Sequence, residues 1–310
     1  MPAPKKSAKQ PEAPQDDRSP LGRLYFTRDG RPRVWLAFVG LVAALGIGGF
    51  LAWHKAGPGV LGGEDYVLKP EKVRLEPPQP AWIQPDVRYA ALRNGGLDRP
   101  QSLLAADLTE RAYQAFAVHP WIAKVVRVSK GHPAWMLVEV EYRRPVAMVQ
   151  VRDALLPVTA DGVLLPHEDF SSVVARGYPR IEGIDNSPAG PPGARWGDAR
   201  VLGAAQIAAA VGDRWKPLNL ERIRPSRSHE PSSQTFELLT PGDTQILWGR
   251  PPSSASAGEP SVARKLELLE KYVADHGPLD QAGPSVVFDL TVDQPLVPPA
   301  ARRDDASERR

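Results

Sequence analysis

Cysteine is absent from the 310 residues, so neither a disulfide framework nor a thiolate metal site is possible, and any folded part must rest on its apolar cores. Paired histidines are lacking too. His54, His119, His132, His167, His229 and His276 are scattered, and no HExxH-type spacing places two imidazoles on one helical face. The one His/carboxylate cluster, His167-Glu168-Asp169, is a run of adjacent residues that point in different directions, with no third ligand in view, and reads as a solvated loop. Ser171, Ser172, Ser232, Ser233, Ser253, Ser254 and Ser256 lie in polar stretches without the Gly-x-Ser-x-Gly setting that exposes a nucleophile. The glycines of Gly46-Ile47-Gly48-Gly49 sit inside an apolar run, which excludes a phosphate loop there. No catalytic residue, metal, cofactor or small-molecule substrate is therefore expected. The net charge of +3 hides a basic excess confined to the part before residue 34, so a nucleic-acid surface is not indicated either.

What the sequence does contain begins with a run free of charge. From Val34 to Trp53 it reads VWLAFVGLVAALGIGGFLAW, roughly 20 residues covering about 30 Å of hydrocarbon. This predicts a transmembrane helix over 34–53. The run exceeds the usual core of a cleaved leader, and FLAWHKAG has no clean small-x-small cleavage site, so an uncleaved anchor is favoured. Lys5, Lys6, Lys9, Arg18, Arg23, Arg28, Arg31 and Arg33 precede it, whereas only His54 and Lys55 follow before Glu64 and Asp65. The positive-inside bias then sets a single-pass topology in the cell inner (cytoplasmic) membrane, with the N-terminus cytoplasmic and the rest outside. Gly40, Ala44 and Gly48, one per helical turn, are candidates for packing another membrane helix.

The expected organisation around that span is as follows. Residues 1–33 form a disordered basic tail, poor in large apolar side chains. Pro58, Pro70, Pro77, Pro78 and Pro80 make 54–82 a Pro-rich linker. In 83–168, Ile83 to Leu92 reads as a strand, and Gln101 to Ala117 as a helix with Leu104, Leu108, Ala112, Ala115 and Phe116 on one stripe. A hairpin follows, with Ile122, Lys124, Val126 and Val128 on one face, Met136, Val138, Val140 and Tyr142 on the other strand's face, and Gly131 to Pro133 turning. Val146 to Leu156 and Gly162 to Leu165 form a second hairpin across Asp161-Gly162. Together these make a small α/β sheet with its helix on one face.

A second domain spans 169–297, opening with an irregular connection to residue 198. It has helices over Ala199–Val211 and Ser261–Asp275 and strands over Leu220–Arg224, Thr235–Leu239, Gln245–Trp248 and Ser285–Leu290. Residues 298–310 form a disordered tail. The fold class is a single transmembrane helix followed by α+β, the second domain being mixed α/β with a mainly antiparallel sheet.

Several segments, in this order, carry a family resemblance: His119-Pro120-Trp121-Ile122 leading into AKVVRVSK, then MLVEVEYRRPVAMV, LLPVTADGVLLP and YPRIEG, and later TQILWGR, KLELLEKY and VVFDL. In these and in topology the chain resembles the FtsQ/DivIB family of bacterial division proteins over roughly residues 30 to 297. It departs from that pattern near Val87 to Leu92, in RNGGLDRPQSLL, and in the long loop PPSSASAGEP. The resemblance implies a POTRA domain over 83–168 and an FtsQ-type β domain over 169–297. It further implies a non-enzymatic scaffold of the division and cell-wall synthesis machinery at the septum. Its implied partners are small coiled-coil division proteins of FtsB and FtsL type, received at the C-terminal end of the β domain. Here that end is Val287, Phe288, Asp289, Leu290, Thr291, Val292, Pro295, Leu296 and Val297. An open sheet edge needs no special side chains to accept a partner strand, which suits a sequence without catalytic motifs. The competing expectation is a POTRA-type chaperone or secretion-assembly component that binds extended polypeptide segments.

Overall fold

The computed structural model describes residues 34–61, 63–226, 234–254, 258–282, 286–294 and 296. The expected tails 1–33 and 298–310, and site candidates Pro295 and Val297, lie outside them. The chain divides into two units between Glu64 and Asp65. The first holds helix α1, Val34–Leu61, which runs two turns past the expected end at Trp53. Within it Ala37–Lys55 is, among the described residues, the one stretch long and apolar enough to cross a membrane. Its large side chains from Trp35 to Trp53 are exposed all round, as a lipid-facing helix requires. A Cβ at Gly40 or Gly48 would meet nothing, so the small-residue face is open.

The second unit starts earlier than the sequence suggests. Residues 65–82, part of the stretch 54–82 read as linker, are folded: strand β1, Val67–Leu68, pairs antiparallel with β3, Gln101–Ser102, and β2, Val73–Glu76, lies between them in sequence. Leu68, Val73 and Ile83 are buried in a common core. The prolines fall at element boundaries, Pro70 opening a short 3-10 turn and Pro77 following β2, so they punctuate these pieces without interrupting a ladder.

Ile83 to Leu92 is not a strand. Helix α2 covers Val87–Asn94, its first turn capped by Asp86, whose carboxylate accepts the Tyr89 amide at 2.9 Å. Helix α3, Leu108–Ala117, begins later than expected because Gln101 and Ser102 form β3; Leu104 is left exposed, while Leu108, Ala112, Ala115 and Phe116 are buried. Strands β4, Ile122–Gly131, and β5, Trp135–Tyr142, make the expected hairpin. In β5, Met136, Val138 and Val140 point inward. In β4 two bulges break the alternation, so Val125 is buried and Val126 exposed, against the expected Lys124/Val126 face. The three-stranded sheet runs β2-β5-β4, with β2 parallel to β5.

The chain leaves that sheet at Arg143–Arg144, not near residue 168. Strands β6, Pro145–Val151, and β7, Ala154–Thr159, form a hairpin turned by Arg152 at φ 53°. Its turn falls inside Val146 to Leu156, read as one strand, and the hairpin belongs to the next sheet. Two further elements occupy the stretch taken as irregular: α4, Ser172–Arg176, and β8, Arg180–Ile181. Then come α5 (Ala199–Val211), β9 (Arg222–Pro225), β10 (Phe236–Leu239), β11 (Gln245–Gly249), α6 (Val262–His276) and β12 (Val287–Asp289).

The seven-stranded sheet has the order β12-β11-β10-β9-β8-β6-β7. Of its six pairings, three are parallel (β12 with β11, β9 with β8, β8 with β6), so it is evenly mixed, not mainly antiparallel. One face carries Val149, Ile181, Ile223, Leu238, Ile246 and Phe288 in a single row, packed with α5 and α6 into the larger core. Helix α5 comes close because it is lined with small residues; a Cβ at Gly203 would stand 2.6 Å from the Phe236 ring.

Candidate partner-binding edge

Strand β12 closes one end of the large sheet and, among the described residues, pairs only with β11, in parallel, Val287 opposite Gln245 and Asp289 opposite Leu247. The Gln245 amide donates to the Val286 carbonyl at 3.3 Å, and the Leu290 amide donates to the Leu247 carbonyl at 3.0 Å. Backbone groups alternate sides along a strand, so the even-numbered residues face β11 and those of Val287 and Asp289 face the open side. The edge thus offers two N–H and two C=O groups to an incoming strand.

The side chains divide in the other direction. Phe288 and Leu290 are buried, Phe288 against Tyr272 of α6 with ring centroids 4.7 Å apart. They are core residues. Val287 is 50% exposed and Val292 41%, and Asp289 is exposed too. On the sheet's outer face Val287 and Asp289 continue the rows of Gln245 and Leu247. Thr291 is already engaged: its amide and hydroxyl both donate to the Asp289 carboxylate. Leu296 packs partly on the large core. Of the implied set, then, Val287, Asp289 and Val292 are presented and Phe288, Leu290 and Leu296 are anchors. Gln245, Leu247 and the Glu237–Arg224 pair at 3.0 Å share the outer face beside them. Sequence reading missed these because alternation in QILWG gives two faces without saying which is covered.

Two devices hold the edge. Ser261 accepts the Arg264 amide at the start of α6, and from that turn Arg264 reaches Asp293 at 2.8 Å and Glu267 at 3.0 Å. Hydrogen bonding to Asp293 pushes the Arg264 guanidinium up from its ordinary value. The next residue, buried Lys265, donates to the Trp248 carbonyl at 2.5 Å, pairs with the Glu259 carboxylate, and lies 5.1 Å from the Trp248 ring centroid. Glu259 also accepts the Arg250 amide at 3.0 Å, tying the turn after β11 to α6.

Elsewhere the polar residues weighed in the sequence take local structural places. His167 and Glu168 approach at 3.2 Å but are both exposed, while Asp169 accepts the Trp121 indole N–H at 2.7 Å. Ser171 caps α4, and Ser253 donates to Gln206 at 2.6 Å. Ser232, Ser233 and Ser256 lie outside the described residues. Among the described residues no group of three or more His, Asp or Glu gathers as a metal site would need.

Compared with protein-family models and with curated protein sequences, the chain matches none.

Proposed function

We propose that this chain is a non-enzymatic, single-pass membrane scaffold of the cell-division and cell-wall synthesis machinery, of FtsQ/DivIB type, working by strand addition at β12. The observation that carries the reading is the β12 edge, with the backbone groups of Val287 and Asp289 unpaired among the described residues and its apolar residues seated on α6. Three further features support it. The basic run before Val34 favours a cytoplasmic N-terminus beside the apolar helix. The sheet β2-β5-β4 is of the small α/β kind that a POTRA-like domain calls for. The motifs that carry the resemblance fall in the order the family has them.

A coiled-coil division protein of FtsB or FtsL type would lay a strand along β12 and rest its flanking residues on Gln245 and Leu247. The test is affinity capture of the membrane-embedded protein from dividing cells. Val287→Pro removes an outward donor and leaves the β11 ladder intact, so it abolishes capture of those small proteins while the protein stays folded in the membrane. Capture of them at wild-type level by the folded variant overturns the reading. The ten-residue strand β4, at one edge of the smaller sheet, is then the next docking surface, and the chaperone-like alternative gains.

A further inference from the structure

At the far end of the large sheet from β12, where the chain crosses from one sheet to the other, lies a cleft of about 820 Å³. That is within the size range of ligand pockets, roughly 300–1,000 Å³, and larger than a single small anion needs. Its walls come from β5, β6, β7 and the C-terminal end of α5. Pro145, Val146, Ala208 and Trp215 supply apolar surface. The Tyr142 hydroxyl is buried with no hydrogen-bond partner among the described residues.

Charge is the telling feature. Arg143, Arg144 and Lys216 line the cleft, and none has a carboxylate within ion-pair distance among the described residues. Elsewhere in the second unit Arg88, Arg111, Arg127, Arg180, Arg200, Arg214, Arg222, Arg224 and Arg264 each meet a carboxylate, and the arginines that meet none among the described residues are scattered and, Arg250 apart, exposed. Among the described residues Arg143 donates only through its Nε, to the Pro120 carbonyl at 3.1 Å, which leaves the rest of its donor fork for a ligand. Arg144 lies over the Trp82 ring, 5.8 Å from its centroid, which orients the guanidinium without neutralising it. Of the two carboxylates in the lining, Asp161 accepts the Thr159 hydroxyl at 2.5 Å and offsets part of the Arg143 charge from beyond ion-pair distance, and Asp213 is exposed, so the two arginines and Lys216 leave the lining with a net positive charge.

We infer that this cleft binds an acidic, extended segment of a polypeptide, one or two carboxylates meeting Arg143, Arg144 and Lys216 while intervening apolar side chains rest against Pro145, Val146 and Ala208. Bidentate arginine pairs select carboxylates, and the apolar floor selects a peptide over a free anion. The site is separate from β12, and it stands whether or not the division reading does.

The experiment uses the full chain in lipid nanodiscs and fluorescence anisotropy of three labelled peptides of equal length, with Leu alternating with Glu, Gln or Lys. The Glu peptide binds at least tenfold tighter than the Gln peptide, and its affinity falls as salt rises. Lys216→Gln, at an exposed side chain that costs no core contact, loosens it about threefold, and Lys216→Gln with Arg144→Gln loosens it at least tenfold. Val287→Pro leaves it unchanged. Equal binding of the Gln peptide, indifference to Lys216→Gln, or full displacement of the Glu peptide by equimolar citrate each overturns the inference.

Discussion

The Thr291 amide and hydroxyl both donate to one oxygen of Asp289, at 2.8 and 2.6 Å, and this turn ends β12 two residues before Asp293 meets Arg264. Proline at position 291 would therefore disturb the turn without removing a donor from the open edge. Asp289→Ala leaves both Thr291 groups to water and costs about 0.5–1.5 kcal/mol. Its expected effect on partner capture is a loosening of about tenfold at most, against complete loss in Val287→Pro. Thr291→Ser keeps both donors and behaves as wild type in the same capture assay. An Asp289→Ala protein as defective as Val287→Pro would mean that the turn, not the open edge, makes the contact.

The proposed orientation rests on the charges that flank α1. A reporter active only outside the cytoplasm, fused after Arg310, is expected to be active, and the same reporter at the N-terminus silent. The reverse pattern would invert the topology and remove the proposed partners from reach.

Folding of residues 65–82 can be checked by truncation. A soluble fragment starting at Gly63 retains β1 and β2, whereas one starting at Ile83 loses Leu68 and Val73 from the smaller core, at about 1.5–3 kcal/mol for each side chain, together with the parallel ladder to β5. The shorter fragment is expected to lose the cooperative unfolding of the small sheet in a thermal melt. Identical melts for the two fragments would show that 63–82 contributes nothing to the core.

The Lys265–Glu259 pair is buried at the base of α6, so Glu259→Gln leaves an ammonium without its countercharge and is expected to cost about 3–5 kcal/mol in a denaturant titration. Lys265→Met combined with Glu259→Gln recovers part of that loss, because no charge then remains unpaired. Gly249→Ala should be nearly as damaging as the single change. Gly249 sits at φ 89°, and its Cβ would run into the Glu259 carboxylate.

Burial holds the His119 imidazole below its ordinary 6.5, and its Nδ1 accepts the Trp121 amide at 3.3 Å, which only an unprotonated Nδ1 can do. The folded state thus disfavours the proton that the unfolded chain takes up. The contribution is fully present above pH 6.5 and is lost as pH falls from there through the lower folded value, at up to about 1.4 kcal/mol per pH unit. Urea titrations between pH 7.5 and 5 are expected to show this loss in wild type and a flatter profile in His119→Gln. Equal slopes would remove His119 from the account.

Some of this architecture was written in local sequence. A run without charge, flanked by Arg and Trp, is enough for α1, because an unpaired charge in hydrocarbon has no cheap remedy. Ser261 as a cap and Val262, Leu266 and Leu269 at helical spacing are enough for α6, and strict alternation is enough for β5. Other parts left no such trace. The two-residue strands β1, β3 and β8 are too short to have a period, and they exist because neighbouring chain supplies the ladder. The hairpin of β6 and β7 reads like the strands before it, yet it joins the other sheet, a choice made by the parallel pairing of β6 with β8 about 30 residues later in the chain. The same holds at the candidate edge. VVFDL is legible as a strand, but which of its backbone groups stay open depends on its register against β11, and that register is set by Phe288 finding Tyr272 on α6, a contact made only when the whole sheet is assembled.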